Sequence, residues 1–151
     1  MTKDNFQAAI YQSKVEAVGD FTLRPLSLEQ DLERIHHWVT QSHATFWGMQ
    51  DFNLEQVRAE YQRLCQTCQT CQTCQTCQTC QTCQVYIGEH NNKAVFLLEI
   101  YDPARDVLAE HYDVLPGDYG MHILVAPCDQ PIPGFTWAVF QVVMHFIFSD
   151  T

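Results

Sequence analysis

The sequence predicts a single domain of mixed α/β class, and three observations carry that expectation. Short runs rich in apolar and β-branched residues alternate with longer segments whose apolar residues recur every three or four positions, the periods of strand and helix. Between Gly117 and Phe148 the order turn, strand, loop, helix is written in punctuation residues. Gly117 and Gly120 bracket the turn, and Met121 to Val125 is apolar apart from His122. Pro127, Pro131, Pro133 and Gly134 break the chain, and Phe135 to Phe148 runs on as a helix. Finally, 151 residues with 46% hydrophobic content hold one core and no more. A strand that feeds a helix through a Pro/Gly loop is an anion site in waiting, because the first helical turn leaves N–H groups free and carries partial positive charge.

Met1 to Asp20 is weakly patterned and is read as an extension with little structure of its own, the domain proper being residues 21–151. Phe21 to Leu26 alternates as a first strand, with Pro25 near its end. Ser27 is placed to cap the next helix, with Gln30 completing a capping box, and Leu28, Leu32, Ile35 and Val39 form its apolar stripe. His36, His37 and Trp38 close that helix. Neighbouring histidines on a helix point about 100° apart, so they make poor joint metal ligands. They read either as helix-terminal charges or, with Trp38, His43 and Trp47, as part of a substrate pocket; Phe46 and Trp47 read first as core. Leu54, Val57, Tyr61 and Leu64 mark a second helix. Val85 to Glu89 and Ala94 to Tyr101 are strands joined by a turn at His90-Asn91-Asn92-Lys93, whose asparagines tolerate positive φ. Glu99 interrupts the second of these strands, and a carboxylate there needs a partner or a task.

From Cys65 the triplet Cys-Gln-Thr is repeated six times and closed by Cys83-Gln84, so seven of the eight cysteines lie in this repeat at 65–84. Overlapping CxxC pairs chelate soft metals such as zinc or copper(I), which allows a thiol-rich metal-binding module as an alternative function. The repeat also reads as an extension of the preceding helix, around which a three-residue period drifts without forming a stripe. The preferred reading is a tandem duplication with no selected role, because a metal site needs its ligands fixed and not every intervening Gln and Thr. No resident metal is expected.

A formal charge of −10 with eight Lys and Arg argues against nucleic acid and anionic membranes as partners. No basic stretch followed by an apolar core opens the chain, and the apolar run Trp137 to Phe148 is too short to span a bilayer, so a cytoplasmic protein is expected.

Several segments together resemble the GNAT acyltransferases, and one subgroup in particular. These are the Trp38 to Trp47 region, Glu99-Ile100-Tyr101, Gly117-Asp118-Tyr119-Gly120-Met121-His122-Ile123-Leu124-Val125, and the Gly-containing loop that follows. The subgroup is the acyltransferases of hydroxamate siderophore assembly, which acylate N-hydroxylysine or an N-hydroxydiamine. The resemblance implies a GNAT fold, acetyl-CoA or succinyl-CoA as co-substrate, and a small N-hydroxylated amine as acceptor. It implies that His122 is the catalytic base, although a lone histidine in an apolar strand also reads as a satisfied core residue. By the same resemblance Ile123, Leu124 and Val125 offer backbone N–H groups to the reacting carbonyl, and Ile132, Pro133, Gly134, Phe135 and Thr136 hold the pyrophosphate. His37, Trp38, Trp47, Glu99, Tyr101 and Asp118 would contact the acceptor. Tyr119 stands where the family has a basic residue, and Gln130-Pro131-Ile132-Pro133-Gly134 replaces a Gly-rich phosphate loop. The family pattern continues past this helix with further strands, whereas this chain ends at Thr151, so the resemblance implies a C-terminally truncated domain in which most of the Cys-Gln-Thr copies are inserted.

Overall fold

Each strand pairs with its neighbour in sequence. The computed structural model describes residues 8–69 and 83–149, the backbone alone over 65–69. In chain order the elements are β1 (Tyr11–Val15), β2 (Gly19–Pro25), α1 (Leu28–Val39), α2 (Leu54–Gln69), β3 (Cys83–His90), β4 (Lys93–Tyr101), β5 (Gly120–Val125) and α3 (Phe135–Phe148). The sheet order is β1-β2-β3-β4-β5, antiparallel at every pairing. The expected mixed α/β class holds, with short 3₁₀ turns at Ser42–Trp47, Pro103–Arg105 and Val107–Glu110. Among the described residues no helix is long and apolar enough to cross a membrane.

Strand alternation sorts the core into two halves. Val85, Ile87, Leu97 and Leu124 face α1 and α2, where Leu32, Ile35, Val39, Val57 and Tyr61 are buried. Phe21, Leu23, Phe96 and Leu98 face α3, through Ala138, Val139, Val142 and Val143. The apolar stripes of α1 and α2 are therefore the ones their spacing predicts. Asn91 and Asn92 take φ of 48° and 67° in the β3–β4 turn, as a two-residue hairpin requires. Asn53 and Gln56 at the start of α2 exchange side-chain-to-backbone hydrogen bonds of 2.9 Å, a capping box.

The structure corrects three expectations. The stretch expected to be an extension is structured where it is described, from residue 8 on: Tyr11–Val15 forms a hairpin with β2, turning through Ala17 at φ 64°. Its pattern is weak because Tyr11 and Val15 are its only large apolar residues, yet Tyr11 reaches the Phe146 ring of α3 at 5.3 Å. Second, Ser27 does cap α1, but its side chain makes no cap bond; the Asp31 carboxylate instead accepts the Ser27 N–H at 3.0 Å. Third, α2 runs past Leu64 to Gln69, taking in the first units of the repeat. Most of the repeat lies outside the described residues, while its last cysteine, Cys83, opens β3 as a buried core residue.

Asp31 can take the capping role because Arg24 already holds it. The guanidinium of Arg24 grips Asp31 through two bonds of 2.7 and 2.8 Å, turns its Nε to Glu89 at 2.9 Å, and so pins α1 to β2 and β3; Arg34 adds a further bond to Asp31. Burial alone would raise the Asp31 carboxyl, but the bonds from Arg24 and the Ser27 N–H and the charges of Arg24 and Arg34 together carry it below the usual carboxylate value. Removing one partner of a buried pair leaves the other uncompensated. Asp31→Ala is therefore expected to destabilise the fold by about 3–5 kcal/mol in urea titrations. Because the folded-state pKa is depressed, the stability contributed by Asp31 is complete above the unfolded value near 4 and is lost as pH falls through the folded one. Asp31→Asn should accordingly flatten the acid limb of stability against pH.

Candidate active site

The geometry of this site begins with strand register. The Ala126 N–H donates to the Val95 carbonyl at 2.8 Å, which makes that opposed pair a hydrogen-bonded one. Antiparallel pairs alternate, so the next hydrogen-bonded pairs along β4 and β5 are Leu97–Leu124, Glu99–His122 and Tyr101–Gly120. Directly opposed residues share a face, here the one packed against α1 and α2. The residues between them, Met121, Ile123 and Val125, turn their N–H and C=O groups to the outer edge of β5. His43 marks that edge by donating from Nε2 to the Val125 carbonyl at 3.1 Å.

Register alone thus sets Glu99 against His122, and Nδ1 of the imidazole lies 3.1 Å from Glu99 Oε2. It also sets Tyr101 against Gly120. A Cβ at Gly120 would lie 2.2 Å from the Tyr101 ring, so glycine lets that ring lie across the β5 backbone. There it meets the His122 ring, centroid to centroid, at 4.8 Å. The spacing Glu-x-Tyr on one strand and Gly-x-His on the other is one packed quartet.

Behind the quartet runs a hydrogen-bond chain. The Trp47 indole N–H donates to the Tyr61 hydroxyl at 3.0 Å, and Tyr61 donates to Glu99 Oε1 at 2.9 Å. Glu99, almost buried, thus has one oxygen on Tyr61 and the other on His122. A carboxylate only accepts, so Nδ1 of the imidazole carries the proton and Nε2 is left as the free lone pair. The His122 side chain is 52% exposed, which keeps Nε2 within reach of a ligand. The hydrogen bond to Glu99 raises the His122 pKa above 6.5; burial opposes the rise, and the charges of Glu99 and Asp106 add to it. Burial, then the Glu99 charge, pushes the Tyr61 phenol well above its ordinary value, so it remains a donor.

The residues singled out from sequence are brought together only in part. Trp47, Glu99, Tyr101 and His122 meet, with the Trp47 ring edge-on to His122 at 5.8 Å. Phe46 is fully exposed, against the expectation that it is core: on the short 3₁₀ turn Ser42–Trp47 neighbouring side chains point to different sides, and Trp47 takes the inward one. Trp38 is buried in the α1–α2 core and His37 is bonded to Gln41 at the end of α1; among the described residues neither has a bond or ring contact to His122. Asp118 accepts the Leu115 N–H and lines, with Tyr101 and Arg105, a cavity of about 630 Å³ at the start of β5. Of the strand amides, those of Ile123 and Val125 face outward, whereas the Leu124 N–H is used in the ladder. A second cavity, about 540 Å³, is lined by Val125, Pro127, Ile132, Phe135 and Thr136, and also by Lys93 and His90. At the start of α3, Gly134 takes φ 73° and the Phe135 N–H bonds back to Ile132; among the described residues nothing accepts the N–H groups of Thr136 and Trp137. Pro133 does not line that cavity. Tyr61 escapes sequence reasoning because it sits in the apolar stripe of α2, where an aromatic residue reads as packing.

Comparison with known proteins settles the family. The acetyltransferase (GNAT) domain model matches residues 27–151. The chain belongs to the GNAT acetyltransferase family. The N-hydroxyputrescine acetyltransferase of Acinetobacter baumannii is 30% identical over 132 residues, which cover 87% of this chain and 56% of that protein. The chain therefore spans little more than half the length of that relative. An uncharacterized protein from Bacillus halodurans superposes with a TM-score of 0.73 at 18% identity, over 95% of this chain and 67% of that one. AAC(6')-Ib in complex with ribostamycin and coenzyme A gives 0.65 at 21% identity, over 86% of this chain and 68% of that one. These two likenesses establish the GNAT fold. Within this GNAT domain the Glu99–His122 pair has a direct test. In Glu99→Gln the negative charge that favours the imidazolium is lost while burial still opposes it, so the His122 midpoint, followed by NMR, is expected to fall.

Proposed function

We propose that the domain transfers an acyl group from acyl-CoA to the nitrogen of an N-hydroxylated amine, giving a hydroxamate of the kind used in siderophores. The observation that carries this reading is the Glu99–His122 pair beside the outward amides of Ile123 and Val125, a base and oxyanion donors on one strand. Support for the acceptor class comes from Glu99-Ile100-Tyr101 and the Gly117 to Val125 segment, and from the A. baumannii relative, whose name specifies N-hydroxyputrescine.

The residues present fit CoA. The N–H groups of Thr136 and Trp137, without an acceptor among the described residues and on the positive end of α3, suit a pyrophosphate, and Lys93 supplies a cation in a chain of net charge −10. The apolar wall of Val125, Pro127 and Ile132 suits the uncharged arm. Bound acyl-CoA supplies a thioester carbonyl as electrophile. Nε2 of His122 takes the proton of the attacking nitrogen as the N–C bond forms and the C–S bond breaks, and returns it to the departing thiolate. The amides of Ile123 and Val125 are the donors for the carbonyl oxygen as it gains charge. Trp47 and Tyr101 flank the imidazole and contact the acceptor, and Asp118, at the cavity Tyr101 shares, takes its cationic end. His37 and Trp38 have no part in this assignment. The reaction needs a cytoplasmic acyl-CoA pool and no resident metal.

His122 must be neutral to accept a proton, so hydroxamate formation should rise with pH through its raised pKa, above 6.5. His122→Ala is expected to lower turnover about 10²–10⁴-fold, read from the colour of the ferric hydroxamate with N-hydroxyputrescine and N-hydroxylysine. Acetyl-CoA should raise the melting temperature of this variant as it does that of the parent chain. Absence of any acetyl-CoA effect on the parent would remove the reading.

A further inference from the structure

Tyr61 is completely buried, yet it is not a phenylalanine. Its oxygen accepts from Trp47 and donates to Glu99, so the hydroxyl is satisfied on both sides. A phenyl ring would fill the same space among Val57, Ile35 and Cys83 without needing those partners. What the oxygen adds is a connection: α2 is joined through it to β4, and through Glu99 to the imidazole on β5. Trp47 closes the circuit, because the indole that donates to Tyr61 also lies edge-on against the His122 ring.

We infer that Tyr61, backed by Trp47, is a positioning residue for the base: it holds the Glu99 carboxylate so that His122 keeps its proton on Nδ1 and offers Nε2 to the substrate. This rests on the acyltransferase reading for the task of Nε2, and on geometry alone for the tautomer. Glu99 has two oxygens and two donors, each from a different element. With only His122 as partner the carboxylate is free to rotate, and the imidazole is free to pass its proton to Nε2. With Tyr61 in place neither movement is available without breaking a buried bond. Among the described residues, the other titratable groups that act on the circuit are Asp106, on His122 and Tyr101, Tyr112, on Tyr101, and Cys83, on Tyr61 and Tyr101; of these Asp106 alone adds to the rise of His122.

The test is the ring ¹⁵N spectrum of His122 in the unliganded chain, titrated in the parent, in Tyr61→Phe and in Trp47→Phe. The parent should show the Nδ1–H tautomer almost alone. Tyr61→Phe should show a mixture, with the titration midpoint lowered by half a pH unit or more as the Glu99 bond loosens. Trp47→Phe keeps the Tyr61–Glu99 bond and should give a smaller change in the same direction, which preserves the test where Tyr61→Phe does not fold. In turnover assays kcat should fall severalfold in Tyr61→Phe with KM for acetyl-CoA unchanged. A variant that melts lower but keeps both the parent tautomer and midpoint, or whose midpoint rises, overturns the inference. Because the spectrum needs no acyl-CoA, failure of acetyl-CoA to bind would sink the acyltransferase reading and leave the positioning result standing.

Discussion

The pairing of β4 with β5 is the constraint on which the rest of the site depends. A shift of one residue would put His122 on the opposite side of the sheet from Glu99 and Tyr101, because side chains alternate with period two. The Ala126–Val95 bond sits at one end of this pairing and the Tyr101–Gly120 packing at the other. Between them the register has no freedom, and the carboxylate and imidazole are opposed without any loop having to bring them there. Sites on paired strands hold their geometry better than sites on loops. Here the loops, through Asp118 and Arg105, line the cavity that Tyr101 shares, while the strands hold the carboxylate and the imidazole.

An imidazole on a sheet still needs its hydrogen-bond partner held in place, and the helices do that. The α1–α2 layer covers the face that carries Glu99, which desolvates the carboxylate and at the same time delivers Tyr61 to it. The two effects belong together: a buried carboxylate without donors would be expensive, and a buried phenol without an acceptor equally so. Arg24 and Asp31 solve a related problem at the other end of α1, where ion pairing fixes how that helix sits on β2 and β3. The buried polar groups of this fold are thus concentrated where elements must be fixed relative to one another.

Much of this was legible from sequence, for reasons that differ by element. The spacing of Leu32, Ile35 and Val39, and of Leu54, Val57 and Tyr61, is a direct imprint of helical period on the core, and the paired asparagines at 91 and 92 of a positive-φ turn. His122 and Glu99 stood out because each interrupts an apolar strand. What sequence reasoning did not supply was depth. Trp38 and Trp47 are the same residue type in neighbouring segments, yet one is core and the other lies beside the imidazole, a difference that residue type and spacing do not record. Tyr61 was visible as an apolar-stripe residue and invisible as a hydrogen-bond donor, since periodicity records which face a side chain occupies and not what its far atom meets. The β1 hairpin was missed because an edge strand with polar residues on its outer side has little hydrophobic signal to read.

The two halves of the core also determine how a ligand would have to lie. His122 is on the face covered by α1 and α2, whereas the Thr136 and Trp137 amides, without an acceptor among the described residues, belong to α3 on the opposite face. No line through the sheet connects them, because Phe96, Leu97 and Leu98 of β4 are fully buried between the layers. The common ground is the outer edge of β5, where Met121, Ile123 and Val125 present their backbone groups and His43 already takes the Val125 carbonyl. Val125 and His122 are three residues apart, about 10 Å along a strand. A substrate anchored by a phosphate at α3 and reacting beside His122 must therefore be long and thin and must run along that edge. Under the proposed acyl transfer, a compact acyl donor could not touch both places, whereas a thioester carried at the end of an extended arm could.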